Sequence, residues 1–227
     1  MKEGSIMSNK RIEIVQDILN VNDQIAEATH QLLYSKHIFS INIMASPGAG
    51  KTSVILKTLQ ELSPDIRCAV LEGDTAPVTI DSEKVSGIGI PAIQINTGGD
   101  CHLNANLVSK GIQALDLDNL DFVLIENVGI LICPASWKLG TDMNVVIASI
   151  PEGDDKPYKY PNIYRGIQAL VLNKIDLKPY VDFNVPYFKD GIKALNTDVQ
   201  FFEVSAKTGE GISEWAEWLK ARIKEVK

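Results

Sequence analysis

The sequence has few cysteines, a deficit of basic residues and no long apolar run, and each shortage excludes a class of protein. Three cysteines among 227 residues are an odd number and too few for a disulfide scaffold. The 22 basic against 29 acidic residues, a net charge of −7, argue against nucleic-acid binding, which needs a basic face. No apolar run approaches the roughly 20 residues that cross a bilayer, and residues 1–10 lack the apolar core of a signal peptide. We therefore expect a reduced cytoplasmic protein that binds neither nucleic acid nor membrane.

Short apolar runs alternate with amphipathic segments along the chain. Most of the runs are continuous, as in strands buried on both faces of a parallel sheet. This alternation predicts an α/β fold, a doubly wound, mostly parallel seven-stranded sheet flanked by helices. The predicted strands are 38–44, 66–71, 90–95, 122–125, 144–150, 167–172 and 199–204, and the clearest helices are 52–62, 103–115 and 212–226.

The segment 11–34 precedes the first strand and reads as one amphipathic helix. A helix with a single apolar stripe usually packs on its own domain, although this one could also cap a sheet edge or meet a partner. We expect residues 1–37 to form an N-terminal helix packed on a P-loop domain of residues 38–227.

The first strand runs into the sequence ASPGAGKT at 45–52, and a helix follows. This is the phosphate-binding loop pattern, in which backbone N–H groups and a helix N-terminus converge on an anion. Lys51 would reach the β- and γ-phosphates, and the Thr52 hydroxyl would hold Mg²⁺. Ala45 replaces the usual first glycine, which would cost on the order of 1 kcal/mol if that position needs a positive φ. The predicted phosphate contacts are Pro47, Gly48, Ala49, Gly50, Lys51, Thr52 and Ser53.

Two segments near the C-terminus predict the base. The sequence NKID at 173–176 follows one predicted strand, and SAK at 205–207 follows the last. The Asp176 carboxylate can accept both N1–H and the 2-amino group of guanine, a pair of donors that adenine lacks. The Ala206 N–H would meet guanine O6. We predict a GTP site whose base contacts are Asn173, Lys174, Asp176, Ser205, Ala206 and Lys207.

Three carboxylates are candidates for Mg²⁺ coordination or for positioning the attacking water. Asp74 and Glu126 each follow a predicted strand, at the edge where the carboxyl ends of parallel strands meet a ligand. Asp81 lies on the predicted helix after Asp74. Each could instead be a solvated carboxylate or a helix cap. No side chain is an obvious strong general base, so we expect a GTPase with slow intrinsic hydrolysis that uses Lys51, Asp74, Asp81 and Glu126.

Two cysteines and a histidine form a candidate metal site. Cys101 and His102 are expected to open the helix after the third strand, where the helix N-terminus would favour the thiolate. Cys133 follows the fourth strand, so it could approach them. Such ligands suit Zn²⁺ or Ni²⁺ but are too few for a closed tetrahedral site, which a symmetric dimer would complete. The alternative is that these cysteines are small buried hydrophobes, as we expect of Cys68.

Over nearly its whole length the chain resembles the hydrogenase nickel-incorporation accessory GTPases, the HypB family. The matching blocks are EGD at 72–74, NTG at 96–98 before CHL at 101–103, ENVG at 126–129 before CP at 133–134, EGDDKP at 152–157 before KYP at 159–161, and SAKTGEG at 205–211. The resemblance departs at Ile130, where the family usually has asparagine. The N-terminus lacks the cysteine-rich and histidine-rich nickel motifs of some members, so we expect no separate storage site.

The resemblance implies a metal-insertion GTPase that uses GTP and Mg²⁺ and carries Ni²⁺ or Zn²⁺. Such proteins form a homodimer in the GTP state with metal at the interface, and Cys101, His102 and Cys133 match the family's ligands. Lys159 matches a lysine thought to reach the nucleotide of the partner subunit. Its implied partners are hydrogenase maturation proteins or the apoprotein of a nickel enzyme.

Two other functions compete with nickel delivery. The Cys/His site could hold a structural zinc that only joins a regulatory GTPase dimer. The second alternative is a urease accessory GTPase. It is disfavoured because that related family uses a Cys-Pro-His motif, whereas Cys133-Pro134 is followed here by Ala135. A paralogue that serves another nickel enzyme, such as carbon monoxide dehydrogenase, also fits the sequence.

Overall fold

The computed structural model describes residues 6–75, 85–130 and 137–226. The strands are β1 (Phe39–Ala45), β2 (Cys68–Asp74), β3 (Ala92–Asn96), β4 (Phe122–Glu126), β5 (Met143–Ser149), β6 (Ala169–Asn173) and β7 (Gln200–Glu203). The helices are α1 (Ile6–Ser35), α2 (Lys51–Leu62), α3 (Ala105–Gln113), α4 (Lys156–Lys159), α5 (Pro161–Arg165), α6 (Val185–Lys193) and α7 (Ile212–Glu225). Single 3-10 turns cover Leu117–Asn119, Ile150–Glu152 and Ile175–Leu177. No helix in these ranges combines the length and the apolar character that crossing a bilayer requires.

The strands form one sheet in the order β3-β2-β4-β1-β5-β6-β7. Every pairing among the described strands is parallel, so the predicted doubly wound α/β fold is confirmed and the sheet is parallel throughout these ranges. The chain winds outward from β1 in both directions. Ligands of such sheets bind at the carboxyl ends of the strands where the order reverses, which here is the end of β1.

The sheet is buried on both faces, which explains the continuous apolar runs. One face packs against α2 and α7, with Leu59, Trp215 and Leu219 in its core. The other face is covered in two parts. Leu103 and Ile112 lie in the part below α1 and α3, and Tyr164, Phe188 and Ile192 lie in the part below α5 and α6.

Helix α1 contacts the sheet layer through a few specific groups. The Asn22 side chain donates to the Lys138 carbonyl at 2.9 Å and accepts from the Ala105 N–H at 2.9 Å. His30 Nε2 lies 3.1 Å from the Asp142 carboxylate, and Leu33 is fully buried. Ile18 and Val21, two apolar residues of the segment 11–34 that was predicted to be an amphipathic helix, are instead more than half exposed, so part of the apolar side of α1 is not buried.

Candidate functional site

The phosphate-binding loop joins β1 to α2 with two glycines in the left-handed region. Gly48 has φ of +77° and Gly50 has φ of +89°, which side chains with a Cβ adopt only at a cost. A Cβ on Gly50 would also lie 2.5 Å from the Asn173 side-chain nitrogen. Ala45, in contrast, is the last residue of β1, pairs with Ile147 and has no positive φ. The missing first glycine therefore imposes no backbone strain.

The loop forms one wall of a cavity of about 430 Å³ at the carboxyl end of β1. Lys51 and Thr52 reach it from the first turn of α2, and Glu72, Asp74 and Glu126 line it from β2 and β4. The structure thus brings together the predicted phosphate loop and two of the three predicted carboxylates. Asp81, the third, lies outside the described residues.

Lys51 is the cation that faces these carboxylates. Its ammonium lies 3.3 Å from Glu126 Oε1 and donates to the Asn127 carbonyl at 2.5 Å. The sequence reasoning did not single out Glu72 as a site residue, although it is only 5 % exposed and pairs in register with Glu126, itself 4 % exposed. Buried glutamates are rare unless they are paired. A carboxylate inside an otherwise apolar strand was therefore the signal that could have identified it.

The NKID segment, one of the two predicted to bind the base, is joined to the phosphate loop by hydrogen bonds. Asn173 donates from its side chain to the Ala49 carbonyl at 2.9 Å, and Lys174 donates to the Gly48 carbonyl at 2.6 Å. Lys174 itself has φ of +63°, a conformation that costs a non-glycine residue energy and that is often found at functional sites. These bonds fix the position of the NKID turn relative to the loop at 45–52.

The Asp176 carboxylate is also held in place. The Ser205 hydroxyl donates to Asp176 Oδ1 at 2.6 Å, so one side of the carboxylate is oriented from the SAK turn. The Ala206 N–H donates to Asn173 Oδ1 at 3.1 Å, and its contact with guanine O6 stays a prediction. Lys207 is exposed in the same turn.

Cys101 and His102 lie before α3 rather than in it, which corrects the prediction that they open the helix. The helix begins at Ala105 because Asn104 is its N-cap and accepts the Leu107 N–H at 3.0 Å. Asparagine is among the strongest capping residues, so it ends the preceding loop. The helix N-terminus therefore gives no direct argument for a thiolate at Cys101.

The two candidate ligands are adjacent and only partly exposed. Cys101 Sγ lies 3.7 Å from His102 Nδ1, and the His102 ring stacks on Trp137 with centroids 4.6 Å apart. Burial lowers the pKa of His102, and the Asp100 carboxylate opposes this shift only in part. The lowered pKa favours the neutral imidazole, the form that binds metals. Cys133 lies outside the described residues. Within the described ranges no three Cys, His, Asp or Glu side chains converge on a metal-sized site, so the metal site stays a prediction.

Lys159, the predicted contact to the nucleotide of a partner subunit, ends α4. Its ammonium pairs with the Asp155 carboxylate, and the Lys159 side chain is 60 % exposed. The hydrogen bond from Lys159 lowers the pKa of Asp155. Lys159 is not among the described residues that line the phosphate cavity of its own chain.

Comparisons with known proteins place this arrangement in context. Residues 39–203 match the family model described as CobW/HypB/UreG, nucleotide-binding domain. The chain is 38 % identical over 217 residues to the hydrogenase maturation factor HypB of Escherichia coli K12, covering 95 % of this chain and 74 % of that protein.

Two solved structures are similar over most of the chain. The crystal structure of the hydrogenase maturation factor HypB from Archaeoglobus fulgidus has a TM-score of 0.84 and 34 % identity, and the alignment covers 90 % of this chain and 100 % of that one. HypB from Helicobacter pylori in complex with nickel has a TM-score of 0.85 and 33 % identity, with 90 % and 95 % covered.

Proposed function

The chain belongs to the CobW/HypB/UreG nucleotide-binding family, and within it to the HypB hydrogenase maturation factors, and we propose that it is a GTP-hydrolysing nickel carrier that hands nickel on during the maturation of a nickel enzyme. Similarity to a HypB structure that holds nickel supports nickel as the cargo. The client would be a [NiFe] hydrogenase or another nickel enzyme, reached through maturation partners or directly.

In this function the chain's own groups bind and orient GTP. The backbone N–H groups of the loop 47–53 would hold the β- and γ-phosphates, with Lys51 supplying the positive charge. Asp176, oriented by Ser205, would select guanine through two donors that adenine does not present. Because the loop and the NKID turn are joined through Asn173 and Lys174, base and phosphates would be held in one rigid frame.

The cavity also fits a magnesium ion. The Thr52 hydroxyl and the carboxylates of Asp74 and Glu126 line it together, and oxygen donors of this kind are what Mg²⁺ prefers. Bound there, Mg²⁺ would neutralise charge on the phosphates during hydrolysis. Thr52, Asp74 and Glu126 would hold the ion directly or through water, and a carboxylate of this set would position the attacking water.

One observation carries the link between GTP and nickel: the Lys51 ammonium contacts the Asn127 carbonyl at 2.5 Å. Asn127 begins the segment that leads from the phosphate cavity toward Cys133. A change at the γ-phosphate would therefore reach the strand end that precedes a candidate metal ligand. Release of that segment on hydrolysis would alter the metal geometry.

We further propose that two chains complete the metal site. Cys101, His102 and Cys133 from each chain would supply thiolates and imidazoles to one ion at a dimer interface, which suits Ni²⁺ or Zn²⁺. Lys159, exposed on α4, would reach the nucleotide of the partner in the GTP state.

The test is a Ni²⁺ titration, with Zn²⁺ in parallel, of the full chain loaded with Mg²⁺ and either GDP or a non-hydrolysable GTP analogue. Each state is also sized for dimerisation. A ligand shifts an equilibrium only by its differential affinity for the two states, so delivery requires a difference in Ni²⁺ affinity. Equal Ni²⁺ affinities with a retained Zn²⁺ ion would instead identify a regulatory GTPase with a structural zinc and end the delivery proposal.

A further inference from the structure

Asn127 is a fully buried polar residue whose hydrogen bonds extend in three directions. Its side-chain oxygen accepts the Leu103 N–H at 3.1 Å, and its side-chain nitrogen donates to Asn42 Oδ1 at 3.1 Å. Its backbone carbonyl accepts from Lys51. One residue thus connects the phosphate-loop lysine, the central strand β1 and the peptide that follows His102. The sequence reasoning included Asn127 in a motif and gave it no role.

The contact with Lys51 competes with nucleotide phosphates. An ammonium group has three donors, and two of the groups within its reach are Asn127 O at 2.5 Å and Glu126 Oε1 at 3.3 Å. A phosphate-loop lysine that reaches both β- and γ-phosphates adds two more acceptors. With four acceptors for three donors, the phosphates of GTP compete with Asn127 and Glu126 for the Lys51 ammonium. GDP, which lacks the γ-phosphate, leaves a donor for that carbonyl.

The other end of the connection lies at the candidate metal ligands. The Leu103 N–H belongs to the peptide bond with His102, so the bond to Asn127 fixes the orientation of the His102 carbonyl and its neighbours. The Leu103 side chain is fully buried and packs directly on Gly73. A Cβ added to Gly73 would lie only 2.6 Å from Leu103 Cγ. Because this side chain is anchored by burial, we expect a shift of Asn127 to reorient the peptide rather than to displace the whole loop.

We propose that Asn127 is a positioning residue that transmits the nucleotide state from Lys51 to the Cys101-His102 loop. The inference rests on the proposed function, because it names the route by which GTP alters the nickel site. It adds a direct connection to Cys101 and His102 that does not pass through residues 131–136. Such a claim requires a measured coupling and not only spatial adjacency.

The first experiment measures hydrogen exchange of the Leu103 amide by NMR, without nickel. The full chain carries Mg²⁺ and either GDP or the non-hydrolysable GTP analogue. We expect the protection factor of Leu103 to differ between the two states, while the Leu107 amide, bonded to the Asn104 cap, keeps one value. Equal protection of Leu103 in the two states would overturn the inference and would leave nickel delivery through Cys133 intact.

The second experiment compares Ni²⁺ affinity in the two nucleotide states at saturating nucleotide. Couplings between sites are typically about 5- to 150-fold, and we expect Asn127→Ala to bring this ratio close to one. Asn127→Asp keeps an oxygen that can accept the Leu103 N–H, so it should retain more of the affinity ratio than Asn127→Ala. This second variant separates loss of the hydrogen bond from loss of stability. Asn42→Ala is the matched control, since it removes the bond to the Asn127 nitrogen and leaves the bond to Leu103.

The outcomes separate the two proposals. A wild-type ratio of one contradicts the proposed function itself. A clear wild-type ratio that survives in Asn127→Ala contradicts only the role of Asn127. The third outcome is that Asn127→Ala and Asn42→Ala both lose the difference in Ni²⁺ affinity, while the protection of Leu103 is the same in the two nucleotide states. This would assign Asn127 a purely structural role and would also overturn the inference.

Discussion

The nucleotide site and the Cys101-His102 loop lie along the same chain, yet they are built differently. The nucleotide site is braced internally, because Asn173, Lys174 and Ser205 all bond to its other parts. In the Cys101-His102 loop two candidate metal ligands lie side by side, and the contacts of this loop with the rest of the fold include the hydrogen bond from the Leu103 N–H to Asn127 and the stack of the His102 ring on Trp137.

This difference follows from what each ligand demands. A nucleotide is large and anionic, so backbone N–H groups and a few side chains of one chain can hold it. A transition metal requires a defined number of ligands in a fixed geometry, and two ligands leave that geometry to be completed by other groups. A site that one chain builds is suited to retaining its ligand, whereas a site that needs completion is suited to releasing it.

The largest expected effect is on base selection. In Asp176→Asn the oxygen that accepts from Ser205 is kept, and a donor replaces the other oxygen. The amide can donate to the C2 carbonyl of xanthine but clashes with the 2-amino group of guanine. Sites built around such hydrogen bonds discriminate by roughly 10⁴-fold, so the ratio of GTP to xanthosine triphosphate affinity should fall by about this factor.

Competitive binding of the two nucleotides to the variant checks this expectation. Asp182→Asn, at an exposed position on the segment before α6, is the control and should leave the ratio unchanged. An unchanged ratio in Asp176→Asn would mean that other groups select the base, and the contrast between a nucleotide site built by one chain and a metal site that needs further ligands would no longer hold.

Removal of the Lys51 charge should have the next largest effect. Loss of one preorganised group that faces developing charge typically costs about 10²–10³-fold in rate, and we expect Lys51→Ala to reduce GTP turnover by at least this factor. The buried Glu126 also loses its counter-charge, so circular dichroism must first show that the variant is folded. Lys57→Ala, exposed on α2, should hydrolyse GTP at the wild-type rate, and a comparable loss there would point to a general charge effect.

The nucleotide site and the Cys101-His102 loop also differ in how far the sequence predicts them. The strands and the phosphate loop were predictable because continuous apolar runs, the glycine pattern and the strand-helix setting are local signals. The start of α3 was predicted too early, although Asn104, a residue type that favours the N-cap position, is a local signal of where the helix begins.

The role of Asn127 could not be predicted in this way. Its contacts join residues separated by 76 positions at Lys51, 85 at Asn42 and 24 at Leu103. The pairing of β1 with β4 brings Asn42 and the phosphate loop close to Asn127, and Leu103 reaches it from the loop before α3. Contacts that depend on the strand order carry no signature in the spacing of residues.

A third prediction distinguishes the cysteines. Cys101→Ser should lower Ni²⁺ affinity by more than the roughly 10- to 100-fold that the loss of an outer-shell partner costs, because it removes a proposed ligand. Cys68→Ala should leave the affinity unchanged. Cys68 is buried in β2, and burial, aided by the Asp121 carboxylate, raises the pKa of its thiol to about 12. It therefore stays a protonated thiol at neutral pH, and thiolate is the form that binds metal.

A Ni²⁺ titration of both variants, with alkylation by iodoacetamide as a second readout, tests this assignment. Alkylation of the wild type should label Cys101 and spare Cys68. Unchanged Ni²⁺ affinity in Cys101→Ser would remove this loop from the metal site and leave Cys133 and other groups to hold the ion.

The smallest expected effect tests how firmly the guanine side is braced. Glu203, at the end of β7 just before the SAK turn, pairs with Lys178 and Lys189. Burial acts to raise the pKa of Glu203, but the hydrogen bonds from both lysines more than reverse this and hold it below its ordinary value. A carboxyl whose pKa is lowered on folding stabilises the fold above its unfolded pKa, and this stabilisation is lost as pH falls through the folded pKa. Glu203→Gln should therefore reduce the free energy of unfolding at pH 7 by about 0.2–1 kcal/mol.

Urea denaturation of wild type and Glu203→Gln across a series from pH 7 downward measures this difference. It should shrink as pH falls below the ordinary pKa of glutamate and vanish once Glu203 is protonated in both the folded and the unfolded state. Glu210→Gln, an exposed position in the adjacent turn, should show no such pH dependence. A difference that persists in acid would mean that Glu203 acts through packing rather than charge, and the bracing of the guanine side would then rest on the hydrogen bonds of Asn173, Lys174 and Ser205.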